Sequence, residues 1–225
     1  WDTLTRRIQD NPRVLETVGA YTGWGGIFYT ASIRIRMGFN TPPSEQVKLW
    51  CSRLRRDLSQ DKNYDWISGT AGAIMGLLRY HQQDPQAVVL NLALECGDNL
   101  LKHAHRHSGG VAWHCQSADQ LELTGISHGA SGIAQSLLLL THISEEKKYQ
   151  NYAEQALAFE NAWYSTQHKN WLDRRKSDLP EEDRYIIAWC HGAPGIGLSR
   201  LTSLDLVPEH LTATLKQDLL QAAET

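Results

Sequence analysis

His128-Gly129-Ala130-Ser131-Gly132-Ile133 opens the run that holds the chain's longest apolar stretch, Ser136-Leu137-Leu138-Leu139-Leu140. A G-x-x-G at the mouth of a helical run lets the backbone turn tightly and approach a neighbour closely, because glycine has no Cβ. The same mark occurs three more times. It reads Thr22-Gly23-Trp24-Gly25-Gly26-Ile27, Ser68-Gly69-Thr70-Ala71-Gly72-Ala73 and His191-Gly192-Ala193-Pro194-Gly195-Ile196. The leading glycines are 46, 60 and 63 residues apart, which marks a supersecondary unit copied along the chain, a helical hairpin. The residue before the leading glycine changes from Thr to Ser to His to His, and that slot is where chemistry enters.

Outward from each mark the pattern alternates. The runs Ile27 to Met37, Gly72 to Tyr80, Gly132 to His142 and Gly195 to Leu204 carry few charges and read as buried helices, apolar on more than one face. Between them lie charge-rich amphipathic stretches, Ser44 to Gln60, Pro85 to His105, Glu145 to Tyr164 and Pro208 to Ala223. Pro43, Pro85 and Pro208 sit at or just before helix starts, where a missing N–H costs nothing. A buried helix alternating with an amphipathic one is what a double-layered (α/α) toroid requires. The chain is expected to be all-α, an incomplete ring of about four hairpins, with residues 1–18 supplying an outer helix. Short strands are expected within Val111 to Cys115 and Arg184 to Trp189. No Pro/Gly-rich linker divides the chain, so 1–225 reads as one domain.

Composition is that of an ordinary globular protein, 41% hydrophobic and 21% charged. A formal net charge of -3 gives no reason to expect nucleic acid or an anionic membrane as partner. Arg53-Leu54-Arg55-Arg56 and Arg174-Arg175-Lys176 read as solvated faces. No stretch is long enough to span a bilayer, and no export signal opens the chain. Cytoplasmic location is the expectation, with Cys51, Cys96, Cys115 and Cys190 as reduced thiols. Without an initiator Met, the chain reads as cut from a longer protein.

In a toroid the turns into the inner helices share one rim, so residues about 60 positions apart converge. The candidates are Asp65, His128 and Cys190: an acid, an imidazole and a thiol at repeat-related positions. They suggest a metal or acid–base centre. Cys and His are the usual zinc ligands, and a histidine oriented by a carboxylate exchanges protons near neutral pH. Each also has a bland reading. Asp65 alone suits a helix N-cap, His128 a buried hydrogen-bonded ring, and Cys190 a packed thiol. His103-Ala104-His105-Arg106-His107 reads as a solvated helix end, His114-Cys115 as a connector, and Cys51 and Cys96 as packing thiols.

Asp65-Trp66-Ile67-Ser68-Gly69-Thr70-Ala71-Gly72, Gly125-Ile126-Ser127-His128-Gly129-Ala130-Ser131-Gly132-Ile133 and Trp189-Cys190-His191-Gly192-Ala193-Pro194-Gly195-Ile196 carry a family resemblance. In order and spacing they resemble the lanthionine synthetase cyclase (LanC-like) family, most of all the cyclase half of two-domain lanthipeptide synthetases. The resemblance implies an (α/α) toroid of seven hairpins holding one Zn2+. The metal activates a cysteine thiol of a precursor peptide, which adds to dehydroalanine or dehydrobutyrine and closes a thioether ring. It implies Cys190 as the first zinc ligand, His128 as the proton-transfer residue and Asp65 as the assisting acid. A leader-bearing precursor peptide is the implied partner, and a dehydratase domain upstream is expected.

Two departures qualify this. The family's other ligands form a Cys-His-Gly motif one repeat later, and this sequence ends at Thr225 before one. His191 is not taken as a ligand. The expectation is therefore that residues 1–225 alone neither hold zinc nor cyclise peptide. Some relatives carry an Arg four residues before the ligand Cys, where this chain has Ile186; no role passes to nearby Arg184. Two other readings stand: a LanC-like module that binds glutathione or another thiol without closing rings, and a carbohydrate-active (α/α) enzyme. The latter needs two carboxylates across a cleft, and the rim turns supply one.

Overall fold

The structure, a computed structural model, describes residues 2–11, 15, 17–116, 120–175 and 178–225. Among these, helix α1 (Asp2–Asp10) precedes four helix pairs. They are α2 (Trp24–Arg36) with α3 (Ser44–Leu58), α4 (Thr70–Gln83) with α5 (Ala87–Lys102), α6 (Ala130–Ser144) with α7 (Lys147–Asn161), and α8 (Ala193–Ser203) with α9 (Glu209–Ala223). Each inner helix begins directly after its glycine: Gly23, Gly69, Gly129 and Gly192 are the N-caps of α2, α4, α6 and α8. Gly192 has φ 88°, a left-handed conformation that a side chain rarely adopts.

The inner helices pack in series, α2 on α4, α4 on α6 and α6 on α8, while α3, α5 and α7 form the outer layer. This is an arc of an (α/α) toroid. Position in the arc decides burial. α4 and α6 have an inner neighbour on both sides, and Thr70–Leu78 and Ala130–Leu140 are buried throughout. α2 and α8 have one such neighbour each, and Tyr29, Leu198 and Leu201 remain exposed. The core runs continuously from Ile8 to Leu215. Phe28 meets Trp50 and Tyr80 edge-on at centroid distances of 5.8 and 5.6 Å, tying α2 to α3 and α4. Burying each such side chain contributes about 1.5–3 kcal/mol.

Short hairpins join the pairs: β1 (His105–His107) with β2 (Gly110–Ala112), β3 (His114–Cys115) with β4 (Leu121–Glu122), and β5 (Tyr164–Ser165) with β6 (Asn170–Trp171). The strands expected within 111–115 are present. Those expected within 184–189 are absent. A 3-10 turn ends at Arg184, and the carbonyls of Arg184 and Ile186 accept from Asp173 N–H and the Asn170 amide instead of a ladder. Of the His103–His107 cluster, His103 is the C-cap of α5, as a helix end should be, but His105–His107 form the exposed strand β1. The first outer helix covers Asp2–Asp10, less than the expected 1–18. Residues 1, 12–14 and 16 of that stretch, and Lys176 of the second basic patch, lie outside the described residues. No helix among the described residues is long and apolar enough to cross a membrane.

Candidate active site

The turns into successive inner helices are bonded to one another through the backbone. Gly19, Ala20 and Tyr21 donate to the carbonyls of Ser68, Trp66 and Ile67 at 2.9, 3.1 and 3.0 Å. Trp66 N–H donates to Ser127 O at 3.1 Å, and Ser127 N–H to Cys190 O at 3.4 Å, reinforced by the Ser127 hydroxyl at 3.0 Å. Four turns from four repeats thus form one continuous rim. Gly125 makes a close passage, with φ 97°; a Cβ there would stand 2.7 Å from Cys190 O and 3.2 Å from His191 Cα.

On this rim Asp65 Oδ2 lies 2.6 Å from His128 Nδ1, a contact across 63 residues of sequence. Asp65 is not the N-cap of α4, which is Gly69, but it braces the turn that leads into that helix. Its Oδ1 accepts from Ser68 N–H at 2.7 Å and Gly69 N–H at 3.0 Å, capping the approach to α4. Its Oδ2 is left to orient the imidazole. With Nδ1–H donated to the carboxylate, Nε2 of His128 carries the available lone pair. Asp65 is buried, whereas the His128 side chain keeps 26% exposure, so the ring is held from below and open from above.

Cys190 sits on the adjacent turn and is half-buried. His191 is buried, with its ring stacked 6.1 Å from that of His128. Burial, and then the Arg175 guanidinium, push His191 down to about 4, so its imidazole is neutral near pH 7. Arg175 grips Asp173 through two bonds of 3.0 and 2.8 Å and lies within electrostatic reach of the Cys190 and Cys115 thiols.

Beneath the rim lies a second, fully buried charge cluster. Glu160 Oε1 accepts from Gly125 N–H at 2.7 Å and Ser131 N–H at 3.2 Å, clamping both sides of the His128 turn. Its Oε2 accepts from the Ser131 hydroxyl and from Arg200 at 2.7 Å, and Arg200 also bonds Asp218 at 2.7 Å. Helices α6, α7, α8 and α9 thereby share one ionic network under the histidine. Along the inner face of the arc, a cavity of about 330 Å³ is lined by Trp66 and Ile126 from the rim turns and by Tyr29, Arg79, Gln135 and Thr202 further along the inner helices. Trp189 stacks near Tyr21 and Trp66, with centroids 5.9 and 6.4 Å apart.

The structure therefore brings Asp65 and His128 into contact and sets Cys190 on the next turn. It also adds residues read otherwise from sequence. Cys115, taken as part of a connector, reaches the Asp65–His128 pair: one donor atom from each of Asp65, Cys115 and His128 lies within 4.8 Å of the others. Of the second basic patch, Arg175 is exposed, as expected, yet pairs with Asp173 beside the site, whereas Arg174 is half-buried with its guanidinium 4.3 Å from the Trp163 ring centroid and is not a solvated face. The signal for Arg175 was its spacing, two residues from Asp173. For Cys115 none existed, because a β-hairpin carries it to the rim. Arg55, by contrast, stays on the surface paired with Glu95, as expected. Cys51 is a packed thiol, pushed up to about 11 by burial, and Cys96 is raised the same way.

A glycine-marked helical arc with an acid–imidazole pair and a thiol on one rim is the mark of a LanC-type fold. A sequence profile described as Lanthionine synthetase C-like protein matches residues 2–225, and the chain belongs to that family. Among solved structures it is similar to one described as Nisin cyclase, with a TM-score of 0.64 at 18% identity. The match covers 99% of this chain and 62% of that one. No curated protein sequence matches it.

Proposed function

We propose that this chain is the rim-bearing part of a lanthipeptide cyclase, joining a cysteine thiol of a precursor peptide to a dehydroalanine or dehydrobutyrine of the same peptide. The observation that carries this reading is the 2.6 Å contact of Asp65 with His128 beside the turn that bears Cys190. Family membership and the fold shared with nisin cyclase support it. The substrate must arrive already dehydrated, so a dehydrating activity acts before this one.

The family's zinc fits Cys190 only in part. A structural or catalytic zinc takes at least three protein donors, and no group of three donors among the described residues includes Cys190. The chemistry is therefore derived from side chains alone. His128 Nε2 takes the proton of the substrate thiol while Asp65 holds the ring and stabilises its positive charge. The sulfur lone pair forms the C–S bond at the β-carbon, and the alkene electrons move onto the α-carbon and its carbonyl. The imidazolium returns the proton to the α-carbon, forming the C–H bond and restoring neutral His128. The thiol hydrogen and sulfur have then added across the double bond, with nothing else consumed.

The test is ring closure on a dehydrated precursor peptide, followed by the disappearance of alkylatable thiol, using the longest polypeptide that carries this chain. His128→Asn should slow closure by about 10²–10⁴-fold. Closure at the unmodified rate would remove His128 from the chemistry. Binding of glutathione without any closure would instead favour the thiol-binding reading. The glycosidase reading loses support, because Asp65 has both oxygens engaged and Asp173 is paired with Arg175.

A further inference from the structure

We infer that the cavity along the inner face of the arc is a subsite for one large apolar residue of the substrate peptide, with Gln135 holding the backbone of that residue. The inference rests on the reading above for the nature of the ligand, a peptide brought to the rim.

The cavity adjoins the rim and runs down the inner helices. Trp66 directly follows Asp65, and Ile126 stands two residues before His128, so the upper wall borders the reacting groups. Below them, Met75 of α4 and Leu198 of α8 continue an apolar surface. A volume of about 330 Å³ is at the small end of ligand pockets, enough for a single residue rather than a folded segment. Arg79, deeper along α4, opposes a cationic guest.

Two polar atoms of residues in this wall have no hydrogen-bond partner among the described residues, Gln135 Oε1 and Trp66 Nε1. Gln135 is 6% exposed, and Thr202 fixes its orientation. The Thr202 hydroxyl donates its one proton to the Leu198 carbonyl at 2.9 Å, so it accepts from Gln135 Nε2 at 2.6 Å. Oε1 is then the unsatisfied end of the amide. A buried acceptor of this kind carries a desolvation cost that a hydrogen-bonding guest removes. A peptide group offers one N–H and one C=O, the donor that Gln135 lacks and the acceptor that the Trp66 indole lacks. Gln135 lies little more than one turn into α6, about 8 Å below the rim by helical rise. An extended peptide covers that distance in about two or three residues. The apolar residue is therefore set two or three positions from the one that reacts at His128.

The test uses the longest polypeptide that carries this chain. The probes are synthetic serine–glycine peptides with one cysteine and, two or three positions away, a leucine, an alanine or a lysine. Binding is read by tryptophan fluorescence and needs no ring closure. The leucine peptide should bind about 10–100-fold more tightly than the alanine peptide, as the loss of three buried carbons implies, and the lysine peptide more weakly still. Gln135→Met should weaken the leucine peptide by about 3–10-fold. Its urea midpoint should be no lower than that of the wild type, because the unpaired acceptor is gone; a merely structural glutamine would lower it. Leu198→Lys, at an exposed position, should erase the preference for leucine over alanine. Equal affinity for the leucine and alanine peptides, or unchanged affinity in Gln135→Met, would overturn the assignment. Leucine-selective binding without closure of a dehydrated peptide would remove the cyclase reading and leave the subsite standing. Closure at one rate whichever residue is present would do the reverse.

Discussion

Asp65 does two jobs with two oxygens, and substitutions separate them. Asp65→Asn keeps a capping oxygen for Ser68 and Gly69 but loses the charge that steadies a protonated His128. It should cost no more than about 1 kcal/mol of stability while slowing ring closure severalfold or more. Asp65→Ala removes both, and urea unfolding should show an additional loss of about 1–2 kcal/mol. Asp173 gives a pH signature. Burial pushes its carboxyl up, yet the bonds from Arg175 outweigh burial and leave it below the usual carboxylate range. Protons therefore bind the unfolded chain better. The stability this carboxylate confers is complete above its unfolded pKa of about 4 and is lost as pH falls through the folded value. The stability difference between wild type and Asp173→Asn should be largest near neutral pH and shrink by about pH 3. A constant difference across that range would show that the Arg175 pairing is not what lowers the group.

At the level of elements, the His128 turn is fixed from two sides. Gly125 crosses Cys190 O at φ 97° where no Cβ fits, so Gly125→Ala should destabilise by about 1–3 kcal/mol or displace the Cys190 turn. From below, Glu160 holds the turn and is itself neutralised by Arg200. Removing one partner of a buried pair leaves an uncompensated charge, so Arg200→Met should cost about 3–5 kcal/mol by denaturant unfolding. Adding Glu160→Gln and Asp218→Asn to Arg200→Met should recover part of that loss. No recovery would mean that the cost is packing rather than charge.

Across the whole molecule, protection should follow position in the arc. α4 and α6, flanked on both sides, should exchange amide hydrogens most slowly, and α1 and α9 most quickly. Equal protection in α2 and α4 would contradict the end effect seen in their burial. This architecture was legible in the sequence because a glycine at each helix start and alternating apolar and charged runs are local signals. Asp65, His128 and Cys190 were legible because the repeat sets them at equivalent turns. Cys115 and Arg175 were not: one arrives on a two-residue strand, the other on a connector between β6 and the following 3-10 turn, and neither repeats. Non-local placement of that kind leaves no periodic trace. The missing strand near Ile186 has the same origin, since its carbonyl is taken by a distant side chain, Asn170.

The account depends most on Asp65 and His128 acting as one unit. A double-mutant cycle on ring closure, with Asp65→Asn, His128→Asn and the pair, measures this directly. The double variant should be no slower than His128→Asn alone, because Asp65 acts only through the imidazole. Rate losses that simply multiply would show two independent residues and contradict the assignment.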